Sequence, residues 1–189
     1  MPVPAPAARL RLVLPDLGRL AQYEAALKAG WSPDTEQDIS AHQLGALRRD
    51  RQGFLAELTR QDGSIVLSSG RVVPRLPSRL YWLDDGEFCG MINLRFVAGS
   101  DALPAYVSGH IGYAVVPWKR RRGYATRALA LLLPVAREVG LRQAEITCDD
   151  DNDASRRVIL NNGGVSSGAR PEPGGKIKLV LRIHLGARR

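Results

Sequence analysis

The segment Gly109-His-Ile-Gly-Tyr-Ala-Val-Val-Pro-Trp-Lys-Arg-Arg-Arg-Gly-Tyr-Ala-Thr-Arg-Ala-Leu-Ala130 decides the fold. It reads as an apolar strand, a stop at Pro117, a basic turn, and a helix opening at Gly123-Tyr124-Ala125-Thr126. The first N–H groups of a helix have no partner inside it, and the helix dipole adds positive potential there. A strand feeding a basic, glycine-containing turn at a helix start is therefore an anion site built from backbone. Lys119, Arg120, Arg121, Arg122 and Arg127 crowd the same turn, so the segment points to a phosphorylated ligand.

Outward from this turn the chain alternates strands and helices. Arg9 to Leu14 predicts a first strand, and Pro15-Asp16 open an amphipathic helix that Gly30 stops near Lys28. Thr35 to Gln61 has helical patterning broken near Gly45 and Gly53, one or two helices, and Gly63 to Arg79 reads as loop. Leu80 to Leu83, the turn Asp84-Asp85-Gly86, Phe88 to Val97 and Tyr106 to Val116 form a meander of three strands. A helix over Tyr124–Val139, apolar nearly all round and interrupted by Pro134, follows. Then come a strand over Arg142–Cys148, a helix over Ala154–Leu160 and a final strand over Ile177–Leu185. This order implies an α+β fold with a mixed sheet.

Length and composition narrow the class. The 189 residues suffice for one domain, residues 8–189, behind a Pro- and Ala-rich tail at 1–7. Hydrophobic residues make up 44% and charged residues 24%, the balance of a soluble globular protein. No apolar run reaches the roughly 18–20 residues that span a bilayer, and the first residues lack the pattern of a secretory signal. No membrane partner is expected. Cys89 and Cys148 sit singly in apolar runs, as free thiols of a reducing cytoplasm do. Three scattered histidines argue against a metal site. The net charge of +8 favours anionic partners, but no repeat of interleaved aromatic and basic residues marks a nucleic-acid binder.

Arg120-x-x-Gly123-Tyr124-Ala125 is similar to the Arg/Gln-x-x-Gly-x-Gly/Ala signature of the Gcn5-related N-acetyltransferases (GNAT). Val115-Val116-Pro117 stands where that superfamily's fourth strand meets its phosphate loop, and Asn152-Asp-Ala-Ser155 with Gly163 resembles the start of its last helix. The close match covers Ser108 to Gly164 and resembles one bacterial branch of the superfamily. The resemblance implies a three-layer α/β arrangement with helices on both faces of a mostly antiparallel sheet, whose fourth and fifth strands splay apart. It implies acetyl-CoA as cosubstrate, with residues 106–164 as its binding core and 17–79 on the acceptor side, and a homodimer is a common arrangement.

Within that resemblance, backbone N–H groups from Arg121 to Thr126, with Arg120, would cradle the CoA pyrophosphate. Val115 and Val116 would offer main chain to the pantetheine arm, and an N–H there would stabilise the thioester oxygen. Asn152 and Ser155 complete the cofactor set. Acetyl transfer to an amine by direct attack needs no cysteine nucleophile. His110 is the candidate general base on the fourth strand, with Glu145 a weaker one. The family's general-acid tyrosine, seven residues after the asparagine, is here Ile159, which leaves Ser155 as the hydroxyl nearest the sulfur. Asp149 to Asp153 read as helix capping or as an amine attractor. Asn93 and Arg95 share one strand face, to hold a substrate carboxylate or to face solvent. A domain that binds acyl-CoA without turnover and a basic nucleic-acid binder are the alternatives.

Overall fold

The computed structural model describes residues 6–67, 69–172 and 175–186. Residues 1–5 of the expected tail lie outside the described residues, and Pro6–Arg9 form one 3-10 turn. No helix among the described residues is long and apolar enough to cross a membrane.

Two sheets meet edge to edge. The first has the order β1 (Arg11–Val13), β4 (Ser78–Asp84), β5 (Phe88–Arg95), β6 (Ile111–Val115), and the second β7 (Gln143–Asp149), β9 (Ile177–His184), β8 (Gly164–Pro171), all pairs antiparallel. A separate hairpin, β2 (Ser64–Val66) and β3 (Val72–Pro74), occupies the stretch expected as loop. Its strands are three residues each, too short for the alternation of apolar residues to outweigh the glycines and prolines around them. β8 was not expected either. Six of its eight residues are exposed, so no buried face is written into its sequence.

One face carries α4 (Tyr124–Glu138) and α5 (Asp153–Leu160), packed through Leu129, Leu132, Ala136 and Ile159 on Ile92, Leu94 and Ile146. Pro134 lies on the exposed side of α4, where the carbonyl that loses its partner belongs to exposed Ala130. The other face carries α1 (Leu20–Lys28), α2 (Ser40–Arg49) and α3 (Arg51–Leu58). Tyr23 of α1 stacks on Trp82 of β4 at 5.0 Å between ring centroids, with Trp31 and Phe88 edge-on to it. These fully desolvated rings fix the chain after α1 against the sheet.

The break between α2 and α3 falls at Asp50, not at either glycine. Asp50 is extended (φ −157°), and its carboxylate caps α3 by accepting the Gly53 N–H at 2.9 Å. α1 starts at Leu20, because Asp16 engages the Arg19 N–H and guanidinium and holds the preceding residues in a turn.

The expected strand at Tyr106–Val116 is shorter in the structure, beginning at Ile111. Gly109 is packed so close to β7 that a Cβ there would sit 3.1 Å from the Glu145 carbonyl oxygen. His110 follows, bonding both ways. Its N–H donates to Glu145 O at 2.7 Å and its Nδ1 accepts the Glu145 N–H at 3.0 Å. Beyond this clasp the two sheets share no hydrogen bond among the described residues, and β6 and β7 border a gap.

Candidate active site

The open end of the gap is built by β6, the basic turn and α4. Val116 N–H donates to Cys89 O at 3.0 Å, and Arg95 N–H donates to His110 O at 2.7 Å. Even-numbered residues of β6 therefore turn their backbone to β5, and Ile111, Tyr113 and Val115 turn theirs to the gap. Val116 has no main-chain group to spare, since its carbonyl accepts from Lys119 N. At Val115 the carbonyl takes the Arg120 Nε at 3.1 Å, which leaves its N–H toward the gap. β5 can lie this close only because residue 90 is glycine. A Cβ there would stand 2.1 Å from the Ala114 oxygen.

The turn itself divides its cations into two groups. Lys119 is buried and forms ion pairs with Asp85 at 2.8 Å and Glu87 at 3.1 Å. Burial alone would lower its pKa, but the bonds to Asp85 and Glu87 carry it above the ordinary value. Burial would raise the Asp85 carboxyl, yet Lys119 and the Tyr124 hydroxyl hold it down at about 2. Tyr124 thus spends its side chain on the core and on Asp85. Arg121 and Arg122 are exposed, and Arg121 adopts φ +59° two residues before Gly123 at φ +79°. Two left-handed departures, on either side of Arg122, aim the chain into α4. No side chain caps that helix, and the hydrogen bond from Arg127 N–H to Gly123 O at 3.0 Å closes its first turn. The N–H groups of Tyr124, Ala125 and Thr126 form its positive end.

Across the gap, α5 begins differently. Asn152 Oδ1 accepts the Ser155 N–H at 3.0 Å, so the asparagine is a helix cap. The Ser155 hydroxyl lies 2.8 Å from the Tyr113 hydroxyl, which reaches from β6 over the gap. Burial pushes the Tyr113 phenol up to about 12. Tyr113 was not singled out in the sequence. Nothing in a strand's alternation says that its tyrosine meets a particular serine 42 residues later. Ile159 is fully buried, and Asn162 Nδ2 ties α5 to the Thr126 carbonyl at 3.1 Å. Cys148 has its thiol pKa raised by burial, and Cys89 is pushed up to about 12 by burial.

His110 stands apart from this group. It is 1% exposed, with Nδ1 occupied by the Glu145 N–H and Nε2 buried without a partner among the described residues. Burial lowers its pKa. An imidazole whose free lone pair already accepts a backbone N–H has no site for a substrate proton. Glu145 is bound by Arg170 at 2.9 Å and Arg182 at 3.1 Å, and it shares with His110 a second cavity of about 690 Å³.

A first cavity of about 340 Å³ opens on the α1 and α2 face of the sheets, bordered by Asp34, Glu36, Asn93, Arg95, Tyr113 and Thr147. Asn93 and Arg95 therefore face this cavity. Of the acidic run, Asp149 pairs with Lys178 at 3.0 Å, and Asp153 lies in the first turn of α5.

A sequence model described as the acetyltransferase (GNAT) family matches residues 24–163. A comparison with curated proteins finds no match. Among solved structures, the chain is similar to the ribosomal alpha-N-protein acetyltransferase RimL in complex with coenzyme A, at 16% identity and a TM-score of 0.63, covering 95% of this chain and 96% of that one. It is similar to Mycobacterium smegmatis RimJ in complex with a CoA disulfide, at 23% identity and a TM-score of 0.63, covering 93% and 81%. It is also similar to the self-immunity acetyltransferase MccE in complex with acetyl-CoA and AMP, at 13% identity and a TM-score of 0.60, covering 96% and 97%. At these identities the shared property is the fold.

Proposed function

Because the chain belongs to the acetyltransferase (GNAT) family, we propose that it moves the acetyl group of acetyl-CoA to a primary amine by direct attack in a ternary complex. The observation that carries this reading is the uncapped N-terminus of α4, which opens beside the gap between β6 and β7. Backbone N–H groups from Arg121 to Thr126 hold the pyrophosphate, and the exposed Arg121 and Arg122 add charge. Gly123 adds no side chain of its own to that surface. Arg120 contributes by fixing the Val115 carbonyl. The Val115 N–H is the strand donor left for the thioester oxygen, and Val116 anchors the end of β6.

Acetyl transfer joins the amine nitrogen to the acetyl carbon, breaks the carbon–sulfur bond, and moves one proton from nitrogen to sulfur overall. Ser155 supplies the proton to the departing sulfur, the Tyr113 hydroxyl 2.8 Å away re-protonates it, and the proton that nitrogen releases to solvent water returns to Tyr113, so the cycle closes. This pair does the work that Ile159 cannot. His110 holds the sheets together and takes no proton. Two buried free cysteines suit a reducing compartment, and we place the protein in the cytoplasm.

Calorimetry with CoA and thiol release from acetyl-CoA across a panel of amines test the proposal. Micromolar CoA binding with amine-dependent thiol release is expected. No CoA binding overturns it, and binding without transfer leaves a binding module of the same fold.

A further inference from the structure

Arg95 lines the first cavity with its Nε buried, and its guanidinium has no hydrogen bond or ion pair among the described residues. The other charged groups bordering that cavity are engaged. Glu36 pairs with Lys178 at 2.6 Å, and Asp34 Oδ1 accepts the Glu36 and Gln37 N–H groups at 2.7 and 3.1 Å. Both carboxylates attract Arg95 electrostatically without touching it. Arg95 is half-buried, and its desolvated, unpartnered Nε costs the fold free energy that an anionic ligand on the guanidinium would recover.

The surroundings leave the guanidinium free for such a ligand. Residue 112, opposite Asn93 on β6, is glycine, and a Cβ there would come within 3.2 Å of Arg95 Nη2 and 3.0 Å of Asn93 Oδ1. Asn93 spends its oxygen on the Gly112 N–H at 3.2 Å, which leaves its amide N–H groups as donors. Guanidinium and amide together make a wall of donors, whose planar fork matches a carboxylate with two parallel bonds.

We propose that this cavity recognises an amine acceptor through a carboxylate on the same molecule, held by Arg95 with Asn93 beside it. The proposal rests on the acetyltransferase reading above and names its acceptor class. A cavity of about 340 Å³ suits an acceptor the size of an amino acid or a dipeptide. The carboxylate is unchanged by the transfer, so the product leaves as an anion.

The test measures thiol release from acetyl-CoA with glycine, β-alanine and glycylglycine, with the carboxamide of each, and with O-phosphoethanolamine. It is paired with calorimetry of the same probes on the CoA complex. The acids should exceed their carboxamides by about 10- to 100-fold in kcat/KM or affinity, the range of a charged hydrogen-bonded contact. Arg95→Met should erase that preference, keep CoA affinity, and leave the melting temperature unchanged or raised, because it removes a half-buried charge whose Nε has no partner. Acids and amides that behave alike, or no response to any probe while CoA binds, overturn the carboxylate assignment and leave the donor reading standing. A preference for O-phosphoethanolamine overturns it in favour of a phosphate. Loss of CoA binding by the wild type overturns the donor reading instead.

Discussion

The gap between β6 and β7 has two ends that solve opposite problems. At the closed end, His110 bonds Glu145 through both its main chain and its ring, and Gly109 lets the strands touch. Polar groups there are consumed in holding the sheets together. At the open end, Val115, Gly123 and the first turn of α4 keep N–H groups unspent. The same division runs through the basic turn, where Lys119 is locked to Asp85 while Arg121 and Arg122 stay exposed. Around this gap backbone donors are left over at the open end, while the buried Lys119 and His110 serve the frame.

The largest effect should come from filling the open end. Gly123→Glu places a carboxylate in the anion site and forces a side chain into φ +79°, which costs about 1–2 kcal/mol by itself. CoA affinity should fall by more than about 10²-fold in calorimetry, with charge repulsion adding to strain. Retained affinity would remove the open end as the donor site. Lys119→Met tests the other half of the turn. Breaking a buried pair should lower the unfolding free energy by about 3 kcal/mol in urea melts, while the folded fraction keeps its CoA affinity. A loss of CoA affinity with no loss of stability would reverse the division of labour between Lys119 and the arginines.

The two ends were not equally legible in the sequence. The strand, basic turn and helix start are local, so Pro117, Gly123 and the arginine run announce the open end within fifteen residues. The order of α4, β7, α5 and β9 was legible for the same reason, since each carries its own period. The roles of Lys119, Tyr113 and His110 depend on partners 34, 42 and 35 residues away, at Asp85, Ser155 and Glu145. A basic residue in a basic run carries no mark that it will turn inward, and a histidine at a strand start carries none of the N–H that will occupy its ring. β8 and the β2–β3 hairpin escaped because short or exposed strands lack a hydrophobic signature. The cavity beside Arg95 draws on α1–α2 loop, β5, β6, β7 and β9 residues together, which local pattern does not assemble.

Next in size is the chemistry at the open end. Ser155→Ala should lower kcat by about 10²-fold, the low end of what one proton donor contributes, with little change in KM for acetyl-CoA. Tyr113→Phe should lower kcat less, by about tenfold, because the serine hydroxyl remains. Steady-state thiol release measures both. The double variant should be no slower than Ser155→Ala alone, since the tyrosine acts through the serine. Additive losses would show two independent donors and detach Tyr113 from the relay.

The smallest effect belongs to the closed end and reads out as pH dependence. Burial depresses the folded-state pKa of His110 below its ordinary 6.5, so the native protein keeps the ring neutral while the unfolded chain takes up a proton first. Stability from this group is therefore complete above pH 6.5 and declines as pH falls from there toward the depressed folded value. His110→Gln keeps an acceptor for the Glu145 N–H and removes the titration. Its melting temperature should change less than that of the wild type between pH 8 and pH 5.5, at a cost of about 1 kcal/mol at pH 8 for an imperfect replacement bond. Parallel profiles would show that the clasp does not feel the proton. The pH profile of acetyl transfer should keep its shape in the variant, since a ring whose lone pair is spent on Glu145 carries no proton for the reaction. A variant that stays folded and binds CoA but loses the acidic limb of that profile would make His110 the base and join the two ends of the gap into one catalytic unit.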